Sequence, residues 1–287
     1  QRAKFEEEKE LDFSFGLKNM ARFRANFFMQ RGAVAAAIRK IPFEVPSMQE
    51  LGIPEAMRQL VRRSSGLVLV TGPTGSGKST TLASVIHMLN HERRGHIITI
   101  EDPIEYVYTD NKSIIQQREV GIHTHSFQKA LKSSLRENPD IILVGEMRDL
   151  ETIQQAITAA ETGHLVFTTL HTMGCGESIN RIIDSFPSDQ QNQVRTQLAQ
   201  SLKAVFWQNL IKTADGKGRV AAFETMFSNS AISNMIRKGN THQINSVIET
   251  SAKEGMQTMK SSLKSLLQAG LITEEKALEN LPKEFEN

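Results

Sequence analysis

A glycine-rich segment carries the residues with the clearest chemistry in this chain of 287 residues. Residues 72–80 read GPTGSGKST, a match to the spacing Gly-four-residues-Gly-Lys-Ser/Thr of a phosphate-binding loop. An apolar run at 67–70 precedes it, and apolar residues at helical spacing follow it. A strand, a tight loop and a helix N-terminus would turn backbone N–H groups toward phosphate oxygens. The alternative is a glycine turn that binds no ligand.

Each residue of the loop is a predicted contact of a nucleotide. Lys78 is expected to reach the β- and γ-phosphates, and the Ser79 hydroxyl to help hold Mg²⁺. The predicted nucleotide-binding residues are Gly72, Pro73, Thr74, Gly75, Ser76, Gly77, Lys78, Ser79 and Thr80.

Phosphoryl transfer also needs a metal site and a group that orients or deprotonates water. Acidic residues follow two predicted strands, and the candidates are Glu101, Asp102, Glu105 and Glu146. Carboxylates at the carboxyl ends of parallel strands lie where open sheets place their chemistry. Glu146 follows a fully apolar strand and is a candidate for Mg²⁺, directly or through water. Taken alone, each of these carboxylates could instead be a surface group or a helix cap.

Histidines and arginines are further candidates for the γ-phosphate. His164 and His171 bracket one predicted strand, where either could contact phosphate or a carboxylate, or serve only in packing. The predicted core offers no obvious arginine finger. Ring-forming nucleotidases often take that group from the adjacent subunit, and we expect Arg24, Arg39 or Arg31 to supply it. Solvent-facing arginines without a partner are the alternative.

Composition excludes several other classes of protein. The net charge is only +2, which gives no electrostatic argument for nucleic acid. A single cysteine, Cys175, rules out an internal disulfide and a cysteine-cluster zinc site, and it fits a cytoplasmic setting. No apolar run approaches the ~20 residues of a membrane span, and the first residues lack a signal-peptide core. The opening at Gln1 suggests that part of a preceding domain is missing.

Strand and helix patterns alternate through the middle of the chain. Strands are expected at 67–70, 96–100, 113–118, 141–144, 165–170 and 219–227. This alternation predicts an α/β fold with a mainly parallel sheet covered by helices on both faces. Ser188 is expected to cap a long helix that continues through Leu202 and Val205, and four short helices are expected over 231–281.

The first 42 residues have a different pattern. Alternation at 11–17, 21–27 and 33–41 predicts a small antiparallel sheet with arginines on one face. Three prolines mark the following stretch as a linker. We therefore predict four parts: an N-terminal domain at 1–42, a linker at 43–53, an ATPase core at 54–230 and a C-terminal helical region at 231–287.

Nearly the whole chain resembles the type II/IV secretion ATPase superfamily, and within it the type IV pilus retraction ATPases of the PilT family. The motifs that carry the resemblance are GPTGSGKST at 72–80, TIEDPIEY at 99–106, LRENPDIILVGEMRD at 135–149, TAAETGHLVFTTLHT at 158–172 and EGMQT at 254–258. Four core motifs in this order indicate the superfamily, and EGMQT favours the retraction branch.

The resemblance implies roles for several residues. Glu105 matches the family's general base, Glu146 its Walker B glutamate, and His164 and His171 its histidine-box positions. It also implies a RecA-like P-loop core, with segment 1–42 similar to the second part of a PAS-like α+β domain. Similar proteins are cytoplasmic homo-hexamers at the inner membrane that bind ATP, ADP and Mg²⁺, not zinc. Their partners are the pilus machinery, a PilC-like platform protein and in some cases a paralogous retraction ATPase.

Two departures from the family bear on function. The motif AIRNLIR stands here as AISNMIR, with Ser233 in place of an arginine, which affects a contact used in retraction and not hydrolysis. The four-cysteine zinc insertion of the extension ATPases is impossible with one cysteine.

We therefore expect a hexameric Mg-ATPase that powers pilus retraction, and with it twitching motility and DNA uptake. The alternatives are a related ATPase for secretion or pilus assembly, and a nucleotide-gated ring with little turnover.

Overall fold

The computed structural model of the chain describes residues 2–17, 21–41 and 44–282, and it contains two β-sheets. A short helix and three strands form the first part, which ends at residue 41. Their bounds are α1 (Arg2–Glu8), β1 (Glu10–Leu17), β2 (Ala21–Gln30) and β3 (Ala33–Ile41). The strands pair in the antiparallel order β1-β2-β3, which confirms the predicted small sheet.

The two faces of this sheet differ because side chains alternate along each strand. Phe13 and Phe15 on β1 contact Phe27 and Phe23 on β2, with ring centroids 5.2 and 5.3 Å apart. The opposite face carries the arginines, as predicted, and Arg24 on β2 pairs directly with Arg39 on β3.

The second sheet has seven strands in the order β10-β9-β4-β8-β7-β5-β6. Their bounds are β4 (Gly66–Thr71), β5 (Gly95–Glu101), β6 (Ser113–Glu119), β7 (Ile141–Val144), β8 (Leu165–Leu170), β9 (Leu202–Lys212) and β10 (Arg219–Phe227). All neighbouring pairs are parallel except β9 and β10. Every residue of β4, β7 and β8 is buried, as expected for central strands covered on both faces.

Helices connect these strands. Their bounds are α2 (Lys78–Glu92), α3 (Phe127–Ser134), α4 (Leu150–Glu161), α5 (Cys175–Asp184) and α6 (Gln191–Ser201). α2 leads from β4 to β5, whereas α3, α4 and the α5–α6 pair lead back across the sheet in the other direction. Because parallel crossovers are right-handed, the two directions place helices on opposite faces. The predicted α/β sheet with helices on both faces is confirmed.

The C-terminal part is helical. It contains α7 (Ser230–Lys238), α8 (Ile244–Thr250), α9 (Met259–Gln268) and α10 (Glu274–Glu279). Short 3₁₀ helices lie at Glu55–Arg62, Thr241–Gln243 and Ala252–Glu254. The four predicted α-helices after residue 230 are therefore present among the described residues.

The long helix predicted from Ser188 was wrong. α6 ends at Ser201, and Leu202 and Val205 lie in β9 between β4 and β10. Ala204, Val205 and Phe206 are all buried in succession, which is typical of a central strand and not of one helix face. Helix α5 was not predicted.

The predicted domain limits stay a prediction. The limit between residues 42 and 43 lies outside the described residues. Among the described helices, none is long and apolar enough to cross a bilayer.

Candidate functional site

The glycine loop joins β4 to α2, and its curvature requires glycine. Gly72, Gly75 and Gly77 have φ of 141°, 81° and 89°, values that side chains with a Cβ rarely adopt. A Cβ on Gly72 would lie 2.2 Å from the backbone oxygen of Gln208 on β9. The loop therefore lies in direct contact with the neighbouring strand.

Gln208 on β9 holds the loop and the start of α2 through two side-chain hydrogen bonds. Its side-chain Nε2 donates to the backbone oxygen of Ser76 at 2.7 Å, and its Oε1 accepts from the Thr81 hydroxyl at 2.6 Å. Gln208 is only 3% exposed, so both bonds are shielded from water. Sequence analysis missed this residue because its strand was predicted in part as helix. The available signal was a glutamine inside the apolar run AVFWQNLI.

Lys78 points back over the loop. Its Nζ donates to the backbone oxygens of Gly72 and Pro73 at 2.8 and 3.0 Å. Burial lowers the pKa of the Lys78 ammonium, and the negative charge of Glu146 opposes that shift. The hydroxyl of Ser76 is buried without a hydrogen-bond partner among the described residues. A curved backbone, an ammonium and an unpaired hydroxyl fit the triphosphate of a nucleotide.

Four adjacent strands end at the same edge of the sheet. β4 leads into the loop, β8 into His171, β7 into Glu146, and β5 ends at Glu101. Because these strands are parallel, their carboxyl ends bring the four segments side by side. The acidic candidates thus border the phosphate loop, although they are distant in sequence.

Glu146 lies in the middle of this edge and is connected to the loop through His171. The imidazole Nε2 lies 3.5 Å from Glu146 Oε2, and its Nδ1 lies 3.5 Å from the Thr74 hydroxyl. Glu146 is also paired with Arg148. The Gly145 N–H donates to Ile100 O at 2.8 Å, which holds the start of this segment against β5. The structure therefore brings together Lys78, His171 and Glu146.

Glu101 is a half-buried carboxylate at the end of β5. It accepts hydrogen bonds from the Thr99 hydroxyl at 2.6 Å, from Gln117 Nε2 at 3.2 Å, and from the backbone N–H of Glu105. Burial raises the pKa of Glu101 to about 7, which the hydrogen bonds oppose and the nearby Glu105 charge reinforces. Glu101 therefore still carries a proton in a large fraction of molecules at neutral pH.

Glu105 is half-buried, and within the described ranges its side chain makes no hydrogen bond or ion pair. The next residue connects this segment to the loop, because the Tyr106 hydroxyl donates to Thr80 Oγ1 at 3.3 Å. Asp102 is exposed. Ser79, the predicted metal ligand, is the second residue of α2 and is exposed.

His164 lies at the other end of β8. Its backbone oxygen accepts from Gly66 N–H at 3.0 Å, at the start of β4, and its Nδ1 lies 3.0 Å from Ala159 O. The length of β8 separates it from His171 by roughly 20 Å. Within one chain, His164 is therefore remote from the phosphate loop, and a catalytic role for it stays a prediction.

The predicted arginine finger lies on the first sheet. Arg24 and Arg39 are directly opposite each other, and in the part of the chain described neither makes a hydrogen bond or an ion pair. Two like charges directly opposite each other are unfavourable, so this position favours binding of an anion. Arg31 lies in the β2–β3 turn, roughly 20 Å along the hairpin.

The described residues contain no group of three or more His, Cys, Asp or Glu side chains arranged to hold a metal ion.

Comparison with known proteins gives concordant results. The family described as "Type II/IV secretion system protein" matches residues 8–278. The chain is 53% identical over 277 residues to the "Twitching motility protein" of Neisseria gonorrhoeae, covering 96% of this chain and 74% of that protein. It is 51% identical over 287 residues to the "Type IV pilus retractation ATPase PilT" of Pseudomonas aeruginosa, covering 99% and 83%.

A solved structure is also similar. It is described as "Crystal Structure of the Pilus Retraction Motor PilT and Bound ADP", and it superposes with a TM-score of 0.93 at 52% identity. The match covers 100% of this chain and 82% of that one. The chain belongs to the type II/IV secretion ATPase superfamily and, within it, to the pilus retraction (PilT) family.

Proposed function

We propose that this ATPase hydrolyses Mg-ATP as one subunit of a homo-hexameric ring that powers type IV pilus retraction. One observation carries the proposal for the chemistry. His171 lies between Thr74 of the phosphate loop and Glu146 in the segment after β7, so the loop and the acidic edge of the sheet form one site. Phosphoryl transfer depends on such positioning and on charge neutralisation more than on covalent catalysis.

Each residue of the site has a distinct role in this proposal. Backbone N–H groups of the glycine loop after Pro73 bind the phosphates, and Lys78 exchanges its backbone partners for the β- and γ-oxygens. Ser79 and Glu146 would hold Mg²⁺, Glu146 directly or through water. When bound, the metal neutralises charge that develops on the phosphates. Glu105 takes the proton of the attacking water, and His171 contacts the γ-phosphate.

The adjacent subunit completes the site in this proposal. Arg24 and Arg39 form a cationic position without a hydrogen-bond or ion-pair partner among the described residues of β1–β3, and Lys78 supplies positive charge to the loop from within its own chain. A guanidinium supplied in trans stabilises the charge of the transition state.

The cellular role rests on the relatives. Proteins named for twitching motility and for pilus retraction match this chain over nearly its whole length. We place the ring in the cytoplasm at the inner membrane, against a PilC-like platform protein of the pilus machinery. It supports twitching and DNA uptake there, alone or with a paralogous retraction ATPase. Residues 1–42, 54–230 and 231–287 are its proposed domains.

Glu105→Gln is expected to lower ATP turnover by about 100-fold or more, because loss of a general base costs roughly 10²–10⁴ in rate. Glu146→Gln is also expected to lower turnover, because the metal loses a charged partner. Both variants should retain ATP binding. Lys78→Ala is expected to abolish turnover and weaken binding. Phosphate release and nucleotide binding of the purified protein measure both effects.

Glu151→Gln is the matched control, since Glu151 is an exposed glutamate in the first turn of α4. Its turnover should equal that of the wild type. If the Glu105→Gln variant keeps its turnover, Glu105 is not the general base. A wild-type hexamer that binds ATP without turnover would indicate a nucleotide-gated ring.

Mixed rings test the supply of arginine in trans. Subunits with Arg24→Ala and Arg39→Ala keep an intact loop, and subunits with Lys78→Ala keep intact arginines, so mixing should restore turnover above the additive expectation. Lys40→Ala is the matched control. Lys40 follows Arg39 on β3, points to the other face of the sheet opposite Phe23, and its loss should leave turnover unchanged. If no mixing ratio restores activity, the arginines do not act across the interface.

Deletion of the gene tests the pilus assignment. Because retraction removes pilin from the cell surface, the deleted strain should carry excess pili that generate no pulling force. Normal pilus number and retraction, combined with a secretion defect, would instead favour the related secretion ATPase.

A further inference from the structure

Glu119 is a buried carboxylate that the site described above does not use. It is the last residue of β6, pairs in register with Glu101 of β5, and is only 3% exposed. Its Oε2 accepts from the backbone N–H of Ile104 at 3.1 Å and from Arg22 Nη2 at 3.1 Å. The Ser14 hydroxyl lies 3.3 Å from both oxygens.

One side of this cluster holds the catalytic segment. Ile104 directly precedes Glu105, so the bond from Glu119 fixes the backbone beside the proposed base. Gln117, two residues earlier on the same face of β6, donates to Tyr106 O at 2.8 Å and accepts from Tyr108 N–H at 2.9 Å. These two side chains position residues 104–108 on either side of Glu105.

The other side of the cluster belongs to the first sheet. Arg22 is on β2 and Ser14 on β1, and Arg22 Nη2 donates to the Ser14 hydroxyl at 2.7 Å. Arg22 lies on the same face as Arg24, two residues away. The sheet that carries the proposed trans arginines is therefore connected through Arg22 to the segment that carries Glu105.

The ion pair is suited to being broken and formed again. Arg22 uses one nitrogen for both partners, and its Nε is buried without a hydrogen-bond partner among the described residues. A two-pronged guanidinium–carboxylate pair would be stronger. If Arg22 moves away, Glu119 is left as a buried charge without a cation, which is unfavourable unless its other contacts rearrange.

We propose that Glu119 is a positioning residue that couples the placement of the N-terminal sheet to the position of Glu105, and thereby to the rate of ATP hydrolysis. The proposal rests on the function proposed above, in which Glu105 activates water. A purely structural ion pair would alter thermal stability alone, whereas the coupling alters turnover at saturating ATP.

The test uses Arg22→Gln, Glu119→Gln and the double variant in the full chain. Mutations that alter the coupling between two sites typically change a rate or an affinity by about 2- to 30-fold. We expect each single variant to lower kcat by about tenfold with an unchanged KM for ATP. The double variant should be no slower than the singles, because both remove one interaction. Arg22→Lys, which keeps the charge, should recover part of the loss.

Hydrogen exchange provides a readout that does not depend on hydrolysis. The Ile104 amide is bonded to Glu119, so peptides covering residues 103–107 should exchange faster in Arg22→Gln and Glu119→Gln than in the wild type. Arg118→Gln is the matched control. Arg118 lies one residue before Glu119, pairs with Glu137 at 3.1 Å and is about as exposed as Arg22, and its loss should change neither kcat nor exchange of this peptide.

The outcomes separate the two proposals. If the wild type hydrolyses ATP and Glu105→Gln does not, but Arg22→Gln changes neither kcat nor exchange, the coupling is wrong and the proposed function stands. An equal loss of kcat in Arg118→Gln would also overturn the coupling. If Glu105→Gln keeps full turnover, the base assignment on which the coupling rests fails while ATP hydrolysis itself stands, and unchanged exchange in Arg22→Gln would independently refute the contact.

Discussion

The close approach of β9 to the glycine loop is the constraint on which the site depends. Gly72 has no room for a Cβ beside the Gln208 backbone, and the Gln208 side chain bonds both Ser76 and Thr81. The sheet thereby sets the curvature that directs backbone N–H groups toward an anion. The same packing buries Lys78 and lowers the pKa of its ammonium, and the negative charge of Glu146 opposes that shift.

Parallel strands supply that negative charge from several places at once. Glu146 and the segment from Glu101 to Glu105 reach the same edge because β7 and β5 end there. Such crowding of carboxylates is unfavourable. Burial raises the pKa of Glu101 to about 7, and the Glu105 charge adds a smaller contribution in the same direction. Folding favours the protonated form of Glu101, so its contribution to stability decreases as pH rises from about 4.5 to about 7. A proton on Glu101 leaves one negative charge fewer beside Glu105.

Sequence patterns predicted most of the fold, and with it several segments that meet beside the glycine loop, for identifiable reasons. Local spacing and periodicity alone predict three features: the glycine loop, the buried strands β4, β7 and β8, and the arginine face of the first sheet. β9 was missed because Leu202 and Val205 continue the helical spacing of Val194 and Leu198. The strands that flank β9 in the sheet, β4 and β10, decide between helix and strand, and β4 is distant in sequence.

Contacts between distant segments were also beyond reach of the sequence. Gln208 and Glu119 are ordinary polar residues in their local context, and their importance comes from what the fold places against them. His164 and His171 both flank the same strand in the sequence, but they lie at opposite ends of β8 in the fold. Local patterns specify elements and motifs, whereas the sheet order specifies which motifs meet.

The most direct measurement is a structure of the Glu105→Gln variant with Mg²⁺ and ATP. We expect Lys78 Nζ on the β- and γ-phosphates, Ser79 and Glu146 around the metal or its waters, and residue 105 within one water molecule of the γ-phosphorus. A nucleotide bound away from the glycine loop, or side chains 105 and 146 both turned to solvent, would contradict the account.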